Sequence, residues 1–228
     1  MSHFDFEGGE VLLIDKPYKW TSFDAVGFVR SKIKDIIGKR IKVGHAGTLD
    51  PLATGLLIIC TGKATKLIEK FQDFEKEYTG SFTFGATTPC YDMEKPIDQV
   101  YPFTHINLQL LKKKAKLLTG VQQQLPPIFS AVKINGKRAY QYARENTEVV
   151  MQTKTINISA FDITAFNLPQ ADFKIVCSKG TYIRAIARDL GEMLDSGAYL
   201  SSLCRTRIGE HKLSDALTPE VFAKIVKS

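Results

Sequence analysis

Asp50 is the residue of this chain best placed to do chemistry. It lies in residues 44–66, GHAGTLDPLATGLLIICTGKATK, among side chains with almost no other polar reactivity. Gly44, Gly47 and Gly55 punctuate the stretch, and Pro51 follows the acid directly. Glycine lets a backbone turn sharply or pass close to a ligand. Proline biases the residue before it away from helix, toward extended backbone. The apolar run at 56–60 reads as a buried strand. Asp50 is therefore predicted on a constrained loop leading into a sheet, where scaffolds often carry reactive groups. A carboxylate held there offers nucleophilic attack or removal of a proton. The plainer reading is that Asp50-Pro51 only opens a turn, as Asp-Pro often does. Gly62-Lys63 invites a phosphate-loop reading, which fails: six residues, not four, separate Gly55 from Gly62, and Ala64 replaces the metal-binding hydroxyl.

The elements that must position Asp50 follow from periodicity. Residues 11–15 read as a strand ended by Pro17. A helix starts near Thr21 or Ser22, either of which can cap it, and Val26, Val29, Ile33, Ile36 and Ile37 keep helical spacing until Gly38. Residues 63–71 look helical. Residues 77–85 alternate, with Tyr78, Phe82 and Phe84 on one face, which is strand periodicity. A lysine-rich helix at 108–118 ends at Gly120. Residues 121–151 read as an insertion: a Pro-Pro pair, then Lys133, Lys137, Arg138 and Arg144 interleaved with Phe129, Tyr140 and Tyr142. Strands at 155–166 and 173–178, a helix at 181–194, a strand at 199–208 and a last helix opening at Thr218-Pro219 complete the chain. The expected fold class is α+β: a mixed, largely antiparallel sheet flanked by helices.

The chain has 228 residues, enough for one large domain. Lys+Arg exceed Asp+Glu by 31 to 24, giving +7. That excess suits an anionic partner, though a solvated basic surface would carry it equally. Cys60, Cys90, Cys177 and Cys204 form no C-x-x-C pair, and no histidine stands at ligand spacing from them, so reduced thiols in a cytosolic protein are expected and a zinc site is not. The N-terminus lacks an apolar signal core, and no apolar run approaches the ~20 residues of a membrane helix.

Five segments, in order from about residue 11 to about residue 209, resemble motifs of the TruB family of tRNA pseudouridine synthases. LLIDKPYKWTS (12–22) resembles its N-terminal motif and GHAGTLDPLATGLL (44–57) its catalytic motif. EYTGSFTFGATTPCYD (77–92) resembles the strand with its active-site tyrosine. PPIFSAVKINGKRAYQYARE (126–145) resembles its RNA-gripping thumb, and CSKGTYIRAIARDLGE (177–192) its strand-to-helix segment with a basic residue. Five ordered motifs are far more specific than any one.

The resemblance implies a pseudouridine synthase fold over residues 1–228, with the thumb at about 121–151. It implies conversion of the uridine at position 55, in the T-loop of tRNA, to pseudouridine. Asp50 takes the place of the catalytic aspartate. The reaction breaks the base–sugar C–N bond, rotates the base and makes a C–C bond, with no cofactor and no metal. The carboxylate can attack C1′ of the sugar, add to C6 of uracil, or remove the C2′ proton. Each role needs it ionised. A free Asp, at roughly 3.9, is ionised at neutral pH, but burial opposes this and a cation counters burial. The resemblance makes Arg184 that cation, and a guanidinium fork suits a carboxylate. The plainer reading of Arg184 is a surface helix residue. Tyr78 takes the place of the tyrosine that stacks on uracil and assists loss of the C5 proton. His45 takes that of the histidine contacting the flipped nucleotide, and Lys179, Tyr182 and Leu203 lie where the family lines its uracil pocket. Lys133, Lys137, Arg138 and Arg144 are the implied RNA-binding cations.

The implied partner is the T-arm of tRNA. The protein is expected in the cytoplasm as a monomer, with no membrane and no obligatory protein partner. Two departures stand out. Lys19 occupies a place where the family usually has glycine, and the chain stops short of the C-terminal RNA-binding PUA domain of many members. Rival readings are a tRNA-folding chaperone on the same fold and a guide-dependent ribosomal RNA synthase of the dyskerin type. A glycosidase, which usually needs two carboxylates, is remote.

Overall fold

A computed structural model describes residues 4–134, 136–145, 147 and 149–227. In chain order the elements are β1 (Val11–Lys16), α1 (Ser22–Ile37), β2 (Val43–His45), β3 (Thr54–Thr61), α2 (Ile68–Asp73), β4 (Lys76–Phe84), β5 (Ala86–Thr87), β6 (Gln99–Val100), α3 (Leu108–Leu117), β7 (Gly120–Gln124), β8 (Lys133–Ile134), β9 (Lys137–Arg138), α4 (Ala139–Arg144), β10 (Lys154–Asn167), β11 (Gln170–Cys177), α5 (Ile183–Met193), β12 (Ala198–Ile208), β13 (His211–Lys212) and α6 (Pro219–Ile225). The fold is α+β, a mixed and mostly antiparallel sheet flanked by helices. The chain divides into two compact units, residues 1–78 with 203–228, and residues 79–202. Among the described residues no helix is long and apolar enough to cross a membrane.

In the first unit β3 is the central strand. β1 and β2 pair with it antiparallel, and β12 pairs with it parallel, Cys204 opposite Thr54 and Arg205 opposite Gly55. Leu57 and Ile59 pack into a core with Leu12 and Ile14 of β1, Val26, Val29 and Ile33 of α1, and Phe222 of α6. Leu56, Ile58 and Cys60 pack into another with Phe71 of α2 and Ile208 of β12. Alternate residues of a strand point to opposite faces, so burying both faces requires the unbroken apolar run seen in the sequence. Each of these side chains is buried, and full burial of a large aliphatic or aromatic side chain is worth roughly 1.5–3 kcal/mol relative to exposure. Burial also pushes the Cys60 thiol up to about 11, which leaves it inert at neutral pH. α1 starts where the sequence signals it. Thr21 accepts from the Asp24 N–H and Asp24 accepts from the Thr21 N–H, while Gly38 ends the helix at φ 73°.

In the second unit β10 pairs antiparallel with β11 and with β7, and β4 neighbours β11. Phe82, Phe161 and Phe173 form its ring cluster, with Phe82 stacked on Phe173 at 4.2 Å. The segment expected as an insertion from residue 121 begins inside this sheet, because residues 121–124 belong to β7. Beyond β7 comes a small hairpin of β8 and β9, followed by α4. Residues 135, 146 and 148 of the expected thumb lie outside the described residues, as do residues 1–3 and 228.

Candidate active site

Asp50 does open a turn: its carbonyl accepts from the Ala53 N–H at 3.1 Å. The turn is bound from four sides within the first unit. Ser22, buried at the start of α1, takes both backbone groups of Leu49, donating to its carbonyl at 3.1 Å and accepting from its N–H at 2.8 Å. The Lys19 N–H donates to the Pro51 carbonyl at 2.9 Å. Lys16 Nζ donates to the carbonyls of Trp20 (2.6 Å), Pro17 (3.0 Å) and Pro51 (3.4 Å). Arg205 donates through Nη2 to Gly47 at 3.1 Å and through Nε to Leu56 at 2.8 Å. The guanidinium thus spans the Asp50 turn from its upstream to its downstream side. Gly55 lets β12 come this close. Its φ is +100°, and a Cβ there would stand 2.4 Å from the Arg205 carbonyl oxygen.

Lys16 and Arg205 are both fully or nearly fully buried, and neither was singled out from sequence. Lys16 had a legible signal. It continues the inward phase of β1 after Leu12 and Ile14, so its side chain is carried under the turn. Burial pushes its ammonium down to about 8, while the negative charge of Asp50 pulls it up and Arg205 pushes it further down. With the folded pKa below the ordinary value of 10.5, the unfolded chain binds more protons between pH 8 and 10.5, so stability rises with pH there. We expect a gain of about 1–3 kcal/mol across that window. It should disappear in Lys16→Met. Urea midpoints of both proteins at pH 7.5, 9 and 10.5 check it, and parallel pH profiles would refute it.

Lys19 adopts φ 67°, a left-handed conformation that suits glycine. The lysine is therefore accommodated at a cost in backbone strain. Lys19→Gly should stabilise the protein by about 1 kcal/mol and raise its thermal midpoint by roughly 2 °C. A scanning-calorimetry midpoint that falls instead would mean the lysine side chain contributes more than its backbone costs.

His45 ends β2, opposite Ile59 of β3. Its Nδ1 is buried with no hydrogen-bond partner among the described residues. Burial, reinforced by the Arg205 charge, pushes its pKa below the usual 6.5, so the ring is neutral at pH 7. Tyr78 is a buried residue of β4. Leu203 is half-buried on β12, and its carbonyl accepts from Thr54 Oγ1 at 3.4 Å. Asp50, His45, Tyr78 and Leu203 all belong to this first unit.

Arg184, Lys179 and Tyr182 belong to the second. Arg184 is in the first turn of α5 and only 5% exposed, which rules out the surface-helix reading. Its Nε lies 3.4 Å from Asp92 Oδ2, and its Nη1 and Nη2 donate to the Cys90 and Phe129 carbonyls, each at 3.0 Å. Asp92 is itself buried and also accepts from the Glu94 N–H at 2.9 Å and from the Cys90 thiol at 3.0 Å. Tyr182 is fixed by the buried Gln124, whose amide accepts from its N–H at 2.8 Å and donates to its carbonyl at 3.2 Å. Lys179 is exposed just ahead of Gly180. Asp92 and Gln124 are further residues that sequence reasoning passed over.

In the hairpin, Lys133 stands directly opposite Arg138, and both are exposed. Lys137 pairs with Glu145 and lies over the Tyr142 ring at 4.9 Å, while Arg144 lies over Tyr140 at 5.2 Å.

A carboxylate thus sits on a turn held by two buried cations, with a half-buried imidazole on the strand before it. The fold is that of the pseudouridine synthases. It recurs in the crystal structure of a Cbf5-Nop10-Gar1 complex at a TM-score of 0.69, with 25% identity over 93% of this chain. The chain spans 53% of that solved chain. Residues 34–183 match the TruB family pseudouridylate synthase (N terminal domain). The tRNA pseudouridine synthase B of Phocaeicola vulgatus is 53% identical over 96% of this chain and 93% of its own length. That of Flavobacterium johnsoniae is 48% identical over 97% and 98%. This chain belongs to the TruB family of pseudouridylate synthases, which are isomerases.

Proposed function

We propose that this protein converts the uridine at position 55, in the T-loop of tRNA, to pseudouridine, with Asp50 as the reacting carboxylate. The observation that carries the reading is the Asp50 turn, bound by Ser22, Lys16, Lys19 and Arg205, in a chain 53% identical to a tRNA pseudouridine synthase B over nearly its whole length. A preorganised reacting group spends little free energy on orientation at the moment of reaction.

Uridine 55 is stacked within a folded loop, so it is extruded before Asp50 reaches it, at a cost of a few kcal/mol. Contacts to the loop's shape and phosphates offset that cost. His45 contacts the flipped nucleotide, Tyr78 stacks on the uracil and assists loss of the C5 proton, and Lys179, Tyr182 and Leu203 line the base pocket. We assign Arg184, by the resemblance, the part of the cation that keeps the carboxylate ionised. Lys133, Lys137, Arg138 and Arg144 grip the RNA. The Lys133–Arg138 pair supports this, since like charges directly opposite in a hairpin destabilise it by roughly 0.2–1 kcal/mol, and a phosphate between them removes the repulsion. The protein acts in the cytoplasm as a monomer, on bare tRNA, without an obligatory protein partner. Its four cysteines form no disulfide among the described residues, which suits a reducing compartment.

The test is tritium release from tRNA labelled at uracil C5, with purified protein alone. Release should vanish when the tRNA is changed at position 55. No release from bare tRNA, with binding intact, would favour the chaperone or guide-dependent readings.

A further inference from the structure

The first unit also carries a cluster of cations outside the Asp50 turn. Gly27, Arg30, Ser31 and Lys34 lie at helical spacing on one face of α1, and Arg40 and Lys42 lie on the extended segment that runs into β2. Together they line a cleft of about 580 Å³. Four of the lining residues are cations and none is acidic. The neighbouring acids are engaged elsewhere: Asp35 pairs with Lys32 and Glu7 with Lys39, and none of these four lines the cleft. Arg30 donates to the Val43 carbonyl at 3.1 Å and so ties the segment to the helix. Lys34, Arg40 and Lys42 are exposed. Gly27 lines the cleft as well, and the space over it is open, since an added Cβ would meet nothing within 4 Å.

A concave surface with clustered cations and no acids holds a site for an anion with more than one charge. Its position selects the anion. Val43 lines the cleft and is the first residue of β2, whose last residue is His45. At about 3.3 Å per strand residue, the cleft opens roughly 7 Å from the histidine that leads into the catalytic turn. A polymer of phosphates that delivers a nucleotide to His45 passes along it, whereas an isolated anion gains nothing from this continuity.

We propose that the cleft between α1 and residues 40–43 is a seat for the phosphodiester backbone of the RNA substrate, formed by Lys34, Arg40 and Lys42 beside the open space over Gly27. This rests on the reading of the protein as a tRNA-modifying enzyme and adds a second anchoring surface to the thumb.

Two variants test it, by fluorescence anisotropy with full-length tRNA at several salt concentrations and by turnover. The triple variant Lys34→Gln, Arg40→Gln, Lys42→Gln removes the charge. Each neutralised phosphate contributes close to one to the slope of log Kd against log salt. The triple variant should bind tRNA at least about tenfold more weakly at 0.15 M salt, with the slope reduced by about 2 and the loss falling on KM rather than kcat. Gly27→Leu fills that space with every charge kept, and should weaken binding about fivefold or more. Unchanged affinity and slope in the triple variant overturn the proposal. So does a triple variant that binds weakly beside a Gly27→Leu protein that binds normally, because the cations would then act as a diffuse field and not as a seat. Absence of tritium release with wild-type binding intact would sink the catalytic reading and leave the affinity comparison standing.

Discussion

Asp50→Asn should reduce tritium release from C5-labelled tRNA by at least about four orders of magnitude while leaving tRNA affinity within about twofold. Removal of a group that reacts covalently or moves a proton typically costs this much, since the remaining residues bind but cannot replace the missing step. The asparagine is nearly isosteric, and the contacts that shape the turn come from elsewhere. Ser22 holds Leu49, Lys16 and Lys19 hold Pro51, and Arg205 holds Gly47. None of these bonds is made by the Asp50 side chain, which acts on Lys16 through its charge. The variant also separates the chaperone reading from the catalytic one, because tRNA folding activity should survive the substitution. Residual release within tenfold of wild type would remove Asp50 from the chemistry.

Arg184→Met should lower stability by about 3–5 kcal/mol and abolish detectable turnover. The guanidinium is the buried counter-charge of Asp92 and the donor to the Cys90 and Phe129 carbonyls. Breaking such a pair from one side leaves a charge without compensation, the costly case for buried ions. For a chain of this size the thermal midpoint should fall by roughly 10 °C. Adding Asp92→Asn removes the stranded charge and should return a large part of the stability. If Arg184 acts only as scaffold, activity should return with it. The part proposed for Arg184 beside the reacting carboxylate predicts that turnover stays lost. Arg184→Lys should be intermediate in stability, since an ammonium lacks the planar fork that reaches both carbonyls.

The two variants draw on different levels of legibility. The turn at Asp50 could be read directly, because the glycines, the proline and the apolar run around it are neighbours in the chain, whereas the role proposed for its carboxylate rests on the resemblance. The same holds for the α1 cap at Thr21, the Gly38 stop, the alternation of β4 and the Pro219 start of α6. Each is set by backbone conformation and side-chain periodicity over a few residues. Arg184 was named by resemblance alone. Helical periodicity placed it beside Ile183, but nothing local announced that it would be buried, because that depends on Asp92, Cys90 and Phe129 arriving from distant segments.

Lys16 and Arg205 show the division most clearly. The alternation of Leu12, Ile14 and Lys16 already assigned the lysine to the inward face of its strand. Whether an inward lysine meets partners is a question the alternation cannot answer. Arg205 looked like one more residue of a strand. Its importance comes from the parallel register that sets it opposite Gly55, within reach of the carbonyls of Leu56 and Gly47. The elements, their apolar faces and the turn at Asp50 were settled by the sequence, because those follow from local geometry and from which surfaces must leave water. Tertiary structure alone decided which buried cations hold the Asp50 turn. A buried charge is tolerated only where specific polar groups converge on it. Lys16 finds its carbonyls within 35 residues, whereas strand register brings those of Arg205 from more than a hundred residues away.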